Sequence, residues 1–156
     1  MRSLRRLREL SSHERWLLLQ ALWMLPLARL SLALCGFNRT QGLFLRLAPV
    51  RPRMVDEHEG EAIALATARM VRVAAVNGAC VATCLPRSVV TATLLRGAGL
   101  DPTLQLGARK QDGVLEAHAW VVLGAMTIGD DTGDHGEPFS PFSTAQPRDE
   151  HHTAAC

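Results

Sequence analysis

A chain of 156 residues with a net charge of +2 is long enough for one domain with a real core and too weakly charged to favour nucleic acid. Four scattered cysteines, Cys35, Cys80, Cys84 and Cys156, are too sparse for a small secreted disulfide scaffold, so free thiols in a reducing, cytoplasmic compartment are expected. The charge is uneven: five arginines face two glutamates in the first 15 residues, and the tail from Asp130 is acidic, with a histidine pair at His151 and His152. The basic start fits a solvated helix face as well as it fits a membrane surface or an acidic partner.

Ser11-Ser12-His13-Glu14 has the form of a capping box. It predicts a helix running toward Pro26, with a second piece from Leu27 to Leu34. Trp16 to Cys35 contains only Gln20, Arg29 and Ser31 as polar residues, and is long enough to span a bilayer. Its basic approach and apolar run also have the form of a signal peptide. Arg29 inside the span, Pro26 within the helix and the lack of a small-x-small cleavage site favour buried or surface-docked helices instead. Membrane association stays open, and the surplus of apolar residues is a candidate protein-docking face.

Gly36 to Thr40 reads as a break, Gln41 to Leu47 as a short helix and Pro49 to Arg53 as a loop. From Glu57 to Val76, Ala62, Ile63, Ala66, Met70, Val73 and Ala74 recur at helical spacing. Asn77-Gly78 ends that helix, with Gly78 expected in a left-handed cap. Ala79 to Thr83 leads into another helix, with Pro86 in its first turn and an apolar face of Val89, Val90, Thr93 and Leu94. Gly97 and Gly99 end it.

Asp101-Pro102 is a turn, and Thr103 to Arg109 alternates as a half-buried strand. Gln111 to Gly113 turns into a strand from Leu115 to Leu123. Gly124-Ala125 turns into a third strand that ends at Asp130. After Asp131 a mostly irregular tail is expected. Helices followed by an antiparallel meander make an α+β domain. It divides into an apolar helical docking region (1–55), a core (56–131) and the tail (132–156).

Three residues in this frame carry chemistry. A thiol is mostly protonated at neutral pH, but the unpaired N–H groups of a helix start favour its anion, and Cys84 stands at such a start. His118 lies in a strand between Ala117 and Ala119, which leave it room. Asp130, one hairpin away, can reach the second ring nitrogen, with Asp131 competing for the role. Thiol, imidazole and carboxylate are the parts of an activated cysteine nucleophile. The backbone N–H of Cys84 is a candidate oxyanion donor. Cys80 reads as a small buried hydrophobe, and Cys35 and Cys156 as incidental. A zinc site from Cys80, Cys84, His151 and His152 has poor spacing. No Walker loop or GxGxxG pattern occurs, so no cofactor is expected.

The blocks Cys84-Leu85-Pro86-Arg87-Ser88, Leu94 to Leu100, Leu106 to Lys110 and Ala117-His118-Ala119-Trp120-Val121 resemble the leader peptidases of lasso peptide biosynthesis, within the transglutaminase-like cysteine protease superfamily. The resemblance implies a papain-like arrangement, with the nucleophile at a helix N-terminus and its partners on an antiparallel sheet. It implies removal of a leader from a ribosomally made precursor peptide, with Cys84, His118 and Asp130 as triad. The partners implied are a separate leader-recognition protein of winged-helix type and an ATP-dependent lasso cyclase. The short, helical N-terminal region implies the split protease half, whose apolar helices are candidate docking surfaces for a partner, the cyclase or a membrane. Arg87, Arg109 and Trp120 are candidates to line the cleft, beside packing and surface roles. An amidase or acyltransferase of the same chemistry, and a non-catalytic adaptor, are the rival classes.

Overall fold

A computed structural model describes residues 10–48, 56–78, 83–111, 114–129 and 139–142. Three helices, α1 (Ser12–Leu47), α2 (Glu57–Asn77) and α3 (Cys84–Gly97), precede the strands β1 (Thr103–Gln111), β2 (Val114–Leu123), β3 (Met126–Ile128) and β4 (Ser140–Pro141). The strands form one antiparallel sheet in the order β3-β2-β1-β4. This is the expected α+β architecture.

The capping box forms. Ser11 Oγ accepts the Glu14 N–H at 3.2 Å, and Glu14 Oε2 accepts the Ser11 N–H at 2.8 Å, satisfying two donors that a helix start leaves without intrahelical partners. Glu14 also pairs with Arg69 of α2. The expected stop at Pro26 does not occur, and the helix passes through it. Proline removes one backbone bond from a helix interior, but Leu25 and Ala28 beside it are buried in the core, and that packing keeps the axis running. The break falls at Gly36, where φ is 75° and ψ 178°, a left-handed value that favours glycine. Two helical segments meet there, so the expected five-residue interruption contracts to one residue.

The main core lies between the helices. Leu17, Leu18, Ala21 and Leu25 of α1 pack with Met70, Val71 and Ala74 of α2 and with Val89, Val90 and Leu94 of α3. The N-terminal helix is therefore a structural part of the domain. A second cluster joins Ala92 and Leu95 of α3 to Val121 of β2 and Ile128 of β3, seating α3 on the sheet.

Two local expectations change. Gly78 ends α2 with extended backbone (φ −76°, ψ 172°) in place of the left-handed cap. Its N–H still bonds the Ala74 carbonyl at 2.8 Å. A Cβ at Gly78 would sit 2.5 Å from that oxygen, so close approach, not left-handed geometry, is what glycine permits here. The tail contributes a short strand: β4 pairs Pro141 with Gly107 and Ser140 with Ala108, and the Phe142 N–H bonds the Leu106 carbonyl at 2.7 Å. Two residues are too few to show a periodicity, and an outer position tolerates the proline.

Candidate active site

Cys84 is the first helical residue of α3, and Thr83 before it is the extended N-cap, making no side-chain capping bond. The start of a helix carries N–H groups without intrahelical partners. Pro86 has no N–H to offer, and the Arg87 N–H reaches back to the Thr83 carbonyl at 3.4 Å. The N–H groups of Cys84 and Leu85 are left at the open end of the helix, next to the thiol. Among the described residues, the first turn of α3 carries no acidic side chain to offset the positive end of the helix dipole.

The thiol is half-buried and lines a small cleft with Ala68 and Val71 of α2, Arg87, Ser88 and Thr91 of α3, and Val121, Ile128 and Gly129 of the sheet. One turn further along α3, the buried Ser88 hydroxyl donates to the Ala119 carbonyl at 2.8 Å. That bond fixes the helix bearing Cys84 against the strand bearing His118, one residue from the histidine.

His118 is not among the residues lining the thiol cleft. Side chains alternate across a strand: Val121 packs on α3, which sets Ala119 on the same side and His118 with Trp120 on the other. The imidazole stacks against two rings, with centroids 4.9 Å from Phe139 and 6.0 Å from Trp120, and those two rings lie 6.3 Å from each other, so the three form one cluster. Its Nε2 atom is shielded from solvent. Beyond Phe139 lies the Arg109 guanidinium, 4.4 Å from the ring centroid, in the range of a cation–π contact and held by Glu116 through two bonds of 2.9 Å. Arg109 and Trp120, expected as cleft candidates, thus build the histidine's surroundings, whereas Arg87 borders the thiol.

The two halves adjoin at a sheet edge. β3 ends at Ile128, opposite Val121, so at His118 strand β2 has no described neighbour on that side. Gly129, the residue after β3, lines the thiol cleft. Among the described residues, thiol and imidazole are therefore presented from the two faces of the sheet, near the part of β2 that β3 does not pair. Asp130 and Asp131, which follow Gly129 in sequence, lie outside the described residues, as do Cys80, Cys156, His151 and His152. Cys35 is exposed on α1.

Sequence reasoning missed Ser88 and Phe139. Nothing in the local pattern distinguishes Ser88 from a surface serine, and Phe139 sits in a stretch without periodicity. Gly107 carried a readable signal, since glycine inside a strand marks close approach. A Cβ there would lie 2.6 Å from both Trp120 Cη2 and the Ser140 carbonyl oxygen.

A family model described as the transglutaminase-like superfamily matches residues 21–144. Comparison with curated proteins and with solved structures returned no match. The matched span starts within α1 and extends past β4, taking in both the thiol and the imidazole.

Proposed function

Because the chain belongs to the transglutaminase-like superfamily, whose members are typically enzymes of cysteine-protease or acyl-transfer type, we propose that it is a cysteine peptidase that removes the leader from a lasso peptide precursor. The observation that carries the proposal is Cys84 at the first position of an uncapped helix, lining a cleft. Among the described residues, the N–H groups of this helix start beside the sulfur have no intrahelical partners and are natural donors for an oxyanion.

In this reading the Cys84 thiolate attacks the scissile carbonyl at the leader–core junction. The C–N bond breaks, and His118 returns the thiol proton to the leaving core amine. Water then hydrolyses the leader thioester, releasing the leader carboxylate and the free thiol. Asp130 orients the imidazole. The step requires His118 to meet the thiol beyond the end of β3, so binding of the leader in that region is assigned the task of bringing them together. The leader is presented by a separate recognition protein of winged-helix type, and the freed core passes to an ATP-dependent cyclase. The resemblance of the four sequence blocks supports these partners.

The test mixes wild type and Cys84→Ala with a precursor peptide, with and without the leader-binding protein, and follows leader release by mass. Cleavage by wild type alone, and only with the partner, is the expected result. Partner-independent turnover of a simple amide or ester would move the assignment to the amidase or acyltransferase class. A wild type and a Cys84→Ala variant that behave alike in every mixture would remove the peptidase.

A further inference from the structure

Helix α1 is apolar on two opposite faces, and only one of them packs against the described residues of the core. Leu17, Leu18, Ala21, Leu25 and Ala28 enter the core. On the other side Trp16, Leu19, Trp23, Leu27, Leu30 and Leu34 are each more than half exposed. Their spacings of three, four, four, three and four residues keep them on one line, about 27 Å long at the helical rise per residue. Two tryptophans and four leucines in an unbroken exposed row exceed the scattered apolar residues of an ordinary surface.

The charge of the N-terminal sequence is mostly positive. The first 47 residues hold eight arginines against two glutamates. On the segment that carries the row Arg15 and Arg29 are exposed, and Arg39 and Arg46 are exposed past the Gly36 kink. An apolar row with tryptophans, bordered by arginines, has the composition of a helix that lies in the plane of a membrane interface. By length and composition α1 also qualifies as a span. A span would have to withdraw Leu17, Ala21 and Leu25 from the core and carry Arg29 into hydrocarbon. A second copy docked on the same row would bring two arginine-rich segments together.

We propose that α1 binds the surface of an anionic bilayer, lying flat with Trp16, Trp23, Leu27 and Leu30 in the interface while its opposite face stays in the protein core. The arginines supply attraction to anionic headgroups, and the row supplies the apolar burial. This surface lies apart from the thiol cleft and does not depend on the peptidase assignment.

The full chain is sedimented with vesicles of phosphatidylcholine alone and of phosphatidylcholine with phosphatidylglycerol. Binding to the anionic vesicles is expected, weaker by at least about tenfold on the neutral ones and reduced by salt. Tryptophan emission shifts to the blue, and lipids brominated in the upper acyl chain quench it, a readout that needs no variant. Trp16→Ser/Trp23→Ser/Leu27→Ser/Leu30→Ser, at positions outside the core, keeps its helical circular dichroism and loses vesicle binding. A wild type that stays in the supernatant with anionic vesicles overturns the proposal. So does a folded variant that binds as well as wild type. A lipid-independent dimer that the variant disrupts, or capture of the leader-binding protein by this row without vesicle binding, assigns the face to protein and also overturns it.

Discussion

The Ser88 hydroxyl and the Ala119 carbonyl, 31 positions apart, share a buried hydrogen bond of 2.8 Å that ties the thiol's helix to the histidine's strand. Ser88 is one turn from Cys84, and Ala119 is next to His118. Relative placement of the thiol and the imidazole therefore involves a residue that is neither.

Ser88→Ala leaves the buried Ala119 carbonyl without its donor, which costs about 1–3 kcal/mol. Denaturant unfolding should show that loss. The rate of leader release should fall while Cys84 remains alkylatable. An unchanged rate together with unchanged stability would show that the bond positions nothing.

Cys84 and Cys35 offer a contrast within one molecule. Exposure alone ranks Cys35 as the faster thiol, since it is exposed and Cys84 is half-buried. The proposed role of Cys84 as nucleophile predicts the reverse. Brief iodoacetamide treatment followed by peptide mapping should find Cys84 carboxamidomethylated first. Cys35→Ser should leave turnover intact.

At Gly107 any side chain meets the Trp120 ring and the Ser140 carbonyl at 2.6 Å. Gly107→Ala should force the indole or β4 to move, at about 1–3 kcal/mol. Near-ultraviolet circular dichroism should change, because Trp120, His118 and Phe139 form one aromatic cluster. A variant with wild-type spectrum and melting temperature would contradict the close packing.

Gly36→Ala tests the kink in α1. Nothing lies within 4 Å of the added methyl group, so only the positive φ penalises it, by about 1–2 kcal/mol. The predicted result is a lower unfolding midpoint with unaltered thiol reactivity.

The elements that were legible in the sequence are those with a period or a terminal signature. Ser11 and Glu14 announced the start of α1, the alanine-rich spacing announced α2, and alternation announced β1 and β2. Pro26 misled because local propensity was set against the buried Leu25 and Ala28, and packing decided. Gly78 misled because glycine serves close approach as well as left-handed turns. Phe139 and β4 were illegible because their meaning arises from pairing with Gly107 and Ala108, more than thirty residues earlier. Of the site, Cys84 was readable as a helix-start residue and His118 as a strand residue. The stacking partners of the imidazole were not, since a ring's neighbours follow from how the sheet closes.

The order of strands in the sheet also has a consequence in time. The β1–β2 hairpin and β3 join neighbours in the chain, whereas β4 must return to β1 from the far side. Contacts between distant segments form late, because the intervening loop must first be closed. During synthesis the hairpin can fold as soon as it emerges, but Phe139 can cover His118 only after the chain beyond β3 has been made. The helix carrying the thiol is complete well before then, so the molecule assembles its sulfur first and shelters its imidazole last.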